Sequence, residues 1–168
     1  MQIYSYSIPE FNFYYTSIPI YNKDNQIISI LKINRHRILT QLFHMLLRTG
    51  MPYCYNAFSI DNKALYKIDC VFTGVRYTLY SNSALKKVAI TQKRVQLIEK
   101  TQRFTINGDV YRFEKDYTHS GTLTLNDKKI ATIRNLDHTT TNLTKRIHIE
   151  AINDIIASLI AILYQTFI

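Results

Sequence analysis

Short runs of β-branched and aromatic residues alternate with brief polar interruptions along this chain, and one rhythm returns in five segments. They are IYNKDNQIISILKI (20–33), FSIDNKALYKIDCV (58–71), LYSNSALKKVAITQ (79–92), FTINGDVYRFEKDY (104–117) and LTLNDKKIATIRNL (123–136). In each, two to four residues drawn mainly from Asn, Asp, Ser, Gly and Lys separate two apolar runs. That pattern predicts a β-hairpin, because Asn, Asp and Gly tolerate the positive φ of tight turns while Ile, Val, Tyr and Thr suit a pleated, half-buried surface. Asn107-Gly108 is the strongest of these turn signals. The last four segments begin 21, 25 and 19 residues apart, about two strands and two turns each, as in successive hairpins of one sheet. Turn lengths and apolar positions drift between copies, which fits an irregular meander better than a solenoid.

Two segments depart from the rhythm. NRHRILTQLFHMLLRTGMP, between the first and second hairpins, reads as an amphipathic helix of about four turns. Asn34 is its N-cap, Ile38, Leu39, Leu42, Phe43, Leu46 and Leu47 form one stripe, Gly50 sits at C′ and Pro52 closes it. The C-terminal run IEAINDIIASLIAILYQTFI predicts a second helix, with Glu150 and Asp154 in its early turns, where carboxylates complement the dipole. Beyond them it is apolar on every side. Such a helix must be enclosed by protein or lipid, and residues 155–168 span only about 21 Å, short of a ~30 Å hydrocarbon core. Five or more hairpins give ten to twelve strands, too many for a flat open sheet. A barrel closed around the terminal helix satisfies both requirements and leaves few sheet edges exposed.

A length of 168 residues suits one sizeable core, and no linker-like stretch divides it, so a single domain over 1–168 is predicted. Thirteen Tyr, eight Phe and no Trp fit a mainly β, α+β class. Cys54 and Cys70 have neither metal-ligand nor disulfide-framework spacing and read as small hydrophobes. The opening MQIYSYSIPEF shows neither a basic n-region nor a small-residue cleavage site, which predicts a cytoplasmic protein.

The order of these elements carries a resemblance. IYNKDNQIISILKI followed by a short helix, then ALYKIDCVFTGVRYTLYSNS, FTINGDVYRFEKDY, LNDKKIATIRN and AINDIIASLIAILYQTFI, resembles the bacterial tubby C-terminal-like proteins. Their superfamily also holds the plant LURP-one-related proteins and the phospholipid scramblases. The resemblance covers nearly the whole chain and implies a barrel of about twelve antiparallel strands threaded by the C-terminal helix. It also implies attachment to membrane lipid headgroups, made in the eukaryotic relatives by Lys and Arg on adjacent strands, and no enzymatic activity.

Charge supplies the candidate site. The net charge is +9, and residues 1–100 hold 13 Lys and Arg against 5 Asp and Glu. Lys86-Lys87 and Lys93-Arg94 are the densest pairs. Val88 and Ile90 put the apolar face on even positions and Val95 and Leu97 on odd ones, so a turn or bulge is expected at Lys93-Arg94, lifting both cations off the wall. Arg35 and Arg37 oppose the dipole of their helix, a cost of about 0.3–1 kcal/mol each that an anion would offset. Arg35, Arg37, Lys86, Lys87, Lys93 and Arg94 are therefore the candidate anion- and lipid-binding residues.

Conventional chemistry is missing from the pattern. Four scattered glycines make no phosphate loop, and five histidines show no ligand spacing, so no metal, cofactor or small-molecule substrate is expected. The reading is a non-enzymatic binding module. Its partner is anionic phospholipid or a membrane-associated protein, met peripherally at the inner face of the membrane. Nucleic acid is the alternative partner, because a basic, Tyr-rich barrel could stack bases and neutralise phosphate.

Overall fold

Antiparallel hairpins laid side by side in chain order build the wall of the molecule. The computed structural model describes residues 1–9, 17–33, 54–70, 77–81, 86–94, 100–116, 118, 120–136 and 144–167. The strands are β1 (Gln2–Pro9), β2 (Ser17–Asn22), β3 (Ile27–Ile33), β4 (Tyr55–Ser59), β5 (Ala64–Cys70), β6 (Tyr77–Ser81), β7 (Lys86–Arg94), β8 (Lys100–Ile106), β9 (Asp109–Lys115), β10 (Gly121–Leu125), β11 (Lys128–Asn135) and β12 (Thr144–Ala151), followed by helix α1 (Asp154–Thr166). Each strand pairs with the next. β1 then pairs with β12 from Gln2↔Ala151 to Pro9↔Thr144, closing the barrel. The five predicted hairpins are β2–β3, β4–β5, β6–β7, β8–β9 and β10–β11. The helix predicted over 34–52 lies outside the described residues.

Repeated turn chemistry explains the repeated rhythm. Asn22 and Ser59 each end a strand and Asp116 directly follows one, and the side-chain oxygen of each accepts the amide two residues on, at 2.9, 3.2 and 3.0 Å. In each the backbone N–H of that same residue donates to the carbonyl four residues on, at 2.8 to 3.0 Å. Asn25 and Asn62 take the left-handed residue of two of these loops, with φ of 57° and 60°. The two-residue turns need positive φ at both positions, and Asn107-Gly108 (53°, 92°) and Asn126-Asp127 (47°, 64°) supply it.

The C-terminal apolar run divides differently from its sequence reading. Ile149, Glu150 and Ala151 belong to β12 and pair with both β1 and β11, so Glu150 is a wall residue. The helix begins only after Asn153, whose side chain accepts the Ile156 amide at 2.9 Å as an N-cap. From Ile156 to Tyr164 α1 is buried, packed against β3, β4, β5 and β9 to β12. Three polar contacts key it to the wall. The Tyr4 hydroxyl donates to Asp154 Oδ1 (2.7 Å), Gln165 Nε2 donates to the Tyr6 hydroxyl (2.7 Å), and the Ser29 and Ser158 hydroxyls meet at 2.7 Å within the core.

Packing around the helix leaves no spare volume at Gly121. A Cβ there would lie 2.8 Å from Ile133 Cγ2 and 2.8 Å from Phe113 Cε2, atoms that must shift to admit it. Gly121→Ala is therefore expected to cost about 1–3 kcal/mol and lower Tm by several degrees in a thermal melt.

Buried phenols make the fold sensitive to alkali. Burial pushes Tyr66 and Tyr164 up to about 12, and raises Tyr4 and Tyr6 as well. An unfolded phenol ionises near pH 10. Below that both states hold their protons and the full stability is present. Above it the unfolded chain releases protons that the fold retains, so stability falls as pH rises. Urea denaturation at stepped pH is expected to show a constant midpoint to about pH 9 and a steep decline above about pH 10. A midpoint unchanged through that range would contradict the burial of these side chains.

Candidate anion-binding face

Register across five strands gathers cations that are far apart in sequence. Lys32 stands opposite Asn56, Asn56 opposite Lys67, Lys67 opposite Tyr80 and Tyr80 opposite Lys87. Leu31, Tyr66 and Leu79, one position away on three of these strands, are buried, so the row runs across the outer face of β3 to β7. Its lysines occupy every second strand, about 10 Å apart along the wall. The row also holds its rings and stems together. Lys32 Nζ lies 4.8 Å from the Phe58 ring centre and 3.3 Å from Asn62 Oδ1, and Lys67 Nζ lies 5.6 Å from the Tyr80 ring centre. At its middle, the Asn56 Oδ1 is shielded from solvent with no hydrogen-bond partner among the described residues.

Beyond Lys87 the wall opens. β7 pairs with β6 from Lys86 to Ile90 and with β8 only from Thr91 to Arg94, where the Thr91 hydroxyl donates to the Arg103 carbonyl at 3.0 Å. Between Lys87–Ala89 and Phe104–Asn107 the two strands part around a cavity of about 470 Å³. Lys87 and Arg103 are its cations, and Ser81, Thr91, Thr105 and Asn107 its neutral polar groups.

Two arginines elsewhere on the wall stand beside carboxylates. Arg112 lies 3.5 Å from Glu114 and 3.9 Å from Asp127, and Arg134 lies 3.6 Å from Glu150. His148, opposite Arg134, is held below the usual imidazole range by burial and by that guanidinium. By contrast, Lys32, Lys67, Lys87 and Arg103 have no carboxylate within 4 Å among the described residues. Nor does any group of three His, Cys, Asp or Glu among those residues stand ready to hold a metal, and no described helix is long and apolar enough to cross a membrane.

Of the six residues singled out from sequence, Lys87 joins this face. Lys86 precedes it at the start of β7, opposite Ser81. Lys93 and Arg94 stand at the other end of the same strand, about 20 Å along at ~3.3 Å per residue, so they share no patch with Lys87. They also sit in a regular ladder, opposite Thr101 and Lys100, without the expected bulge. Val95 and Leu97, on which the even-to-odd change rests, lie outside the described residues. Arg35 and Arg37 lie outside the described residues. Sequence reasoning passed over Lys32 and Lys67, each the lone cation of its strand, and Arg103 of β8.

A closed twelve-stranded barrel holding its own C-terminal helix is the architecture the resemblance implied. A family model described as the Tubby C-terminal like domain matches residues 4–168, from β1 to the end of the chain. The chain belongs to this family. Comparison with curated proteins and with solved structures gave no match. The family is one of non-enzymatic binding domains, and its domain fits a binding module.

Proposed function

We propose that this Tubby C-terminal like domain docks peripherally on anionic phospholipid, at the inner face of the membrane, through the outer wall of β3 to β7. The observation that carries this reading is the row Lys32–Lys67–Lys87, three cations in register with no carboxylate within 4 Å among the described residues. Tubby domains are known for binding phospholipids, phosphoinositides among them. A lysine held near an anionic bilayer contributes about 1 kcal/mol, so three in one row supply a useful attraction without any enclosed pocket.

Peripheral contact fits the wall better than insertion. Lys67, Arg112, Glu114 and Arg134 lie on outward positions within strands, and a Lys or Arg facing lipid at mid-bilayer costs about 2–4 kcal/mol. The row also favours lipid over nucleic acid. Base stacking needs open ring faces, whereas the Lys32 and Lys67 ammonium groups cover Phe58 and Tyr80.

Flotation with vesicles tests this directly. The chain is expected to rise with vesicles containing acidic lipid, to stay behind with zwitterionic ones, and to be released as salt is raised. Equal recovery with both vesicle types would remove the reading. Tighter retention on single-stranded DNA at physiological salt would move it to nucleic acid.

A further inference from the structure

We propose that the opening between β7 and β8 is an entry slot for a single anionic amphiphile, with its head on Lys87 and Arg103 and its chain passing into the wall. The slot is lined from both faces of the sheet. Lys87, Ala89, Thr91, Arg103 and Thr105 are exposed at its mouth, whereas Phe104 is 2% exposed and Val88 and Ile106 are half-buried. Phe104 stacks on Tyr111 with ring centres 5.3 Å apart and planes 2° from parallel, giving the floor a flat apolar surface. A cationic, hydroxyl-bearing mouth above an apolar floor is complementary to a charged head joined to a hydrocarbon chain. A free phosphate would leave the floor unused, and a neutral lipid would leave both cations unmatched.

α1 packs against β3 to β5 and β9 to β12, with no comparable packing against β6, β7 or β8 among the described residues. Phe167, just past the helix, meets Tyr77 of β6 with ring centres 4.8 Å apart, so the helix end forms the far side of the interior beside these strands. No carboxylate among the described residues lines the slot. The inference builds on the docking reading, since Lys87 belongs to both, and adds to it that one lipid chain leaves the bilayer plane for the protein.

The test uses monomeric ligands in the absence of vesicles. The full chain is titrated calorimetrically with octyl, decyl and dodecyl phosphate, all below micelle formation, and with inorganic phosphate and dodecyltrimethylammonium. Each buried CH₂ contributes about 0.8 kcal/mol, so affinity is expected to rise about fifteenfold per two carbons until the slot is full. Inorganic phosphate should show no saturable heat, and the cationic amphiphile should bind at least about tenfold more weakly than dodecyl phosphate. Ala89→Trp changes an exposed strand position and should remove the chain-length dependence. The K87E/R103E variant should lose the preference for an anionic head and keep the chain-length slope. Equal affinity for all three alkyl phosphates, or an unchanged slope in A89W, would overturn the slot. Loss of flotation in the unmodified chain would overturn docking instead, so the two failures are distinguishable.

Discussion

Aspartate at position 159 is expected to leave no folded barrel. Leu159 is fully buried in the middle of α1, and truncating such a side chain to alanine alone costs about 2–5 kcal/mol. A carboxylate there would also have to be desolvated with no cation described beside it, which adds several kcal/mol. The sum reaches the ~5–15 kcal/mol net stability of an ordinary domain. Far-ultraviolet dichroism and the cooperative melt of Leu159→Asp should both be lost. The control lies one turn earlier in the same helix. Ile155 is 54% exposed and sits in the first turn, where a carboxylate complements the dipole, so Ile155→Asp should fold and melt close to the unmodified chain. Equal tolerance of both substitutions would mean that the strands do not enclose the helix.

Removing the lysine row is expected to have the largest effect on binding. With about 1 kcal/mol per lysine near an anionic surface, K32A/K67A/K87A should weaken binding to acidic vesicles by about a hundredfold in low salt. The deficit should shrink as salt screens what the unmodified chain gains from these charges. Fold stability should fall by no more than about 1–2 kcal/mol, since the variant loses two exposed cation–π contacts and the Lys32–Asn62 hydrogen bond but no ion pair among the described residues. Thermal melts of the variant would separate lost binding from lost structure.

Turn chemistry made the hairpins legible. The information that places β2 beside β3 or β8 beside β9 lies within about fourteen residues, in an Asn, Ser or Asp that bonds its own backbone and a residue that accepts positive φ. The burial of the terminal helix was legible for a similar reason, because residues 156–164 offer no polar face. The junction was not. Ile147, Ile149 and Ala151 continue the apolar run of the helix, and only their pairing with two strands, one of them 150 residues away, makes them β12.

The binding face was least legible, because it is a property of register. Lys32, Lys67 and Lys87 share a row only after four ladders are counted, and the β4–β5 ladder shifts by one residue between Ala57 and Phe58. A single misplaced residue turns a whole strand over, so local pattern cannot say which lysines face out together. Dense pairs such as Lys93-Arg94 draw the eye in a sequence. On a barrel, single cations repeated across strands make the broader patch.

The claim that position, and not net charge, confers membrane affinity is tested most directly by two matched variants. K32E/K67E/K87E reverses the row, and K128E/K129E/K145E reverses three exposed lysines elsewhere, with the same change in net charge. Measured against acidic vesicles at one salt concentration, the row variant should lose flotation while the matched variant keeps most of it. Equal losses in the two would show that the barrel is drawn to lipid by its overall charge, and the docking face across β3 to β7 would not stand.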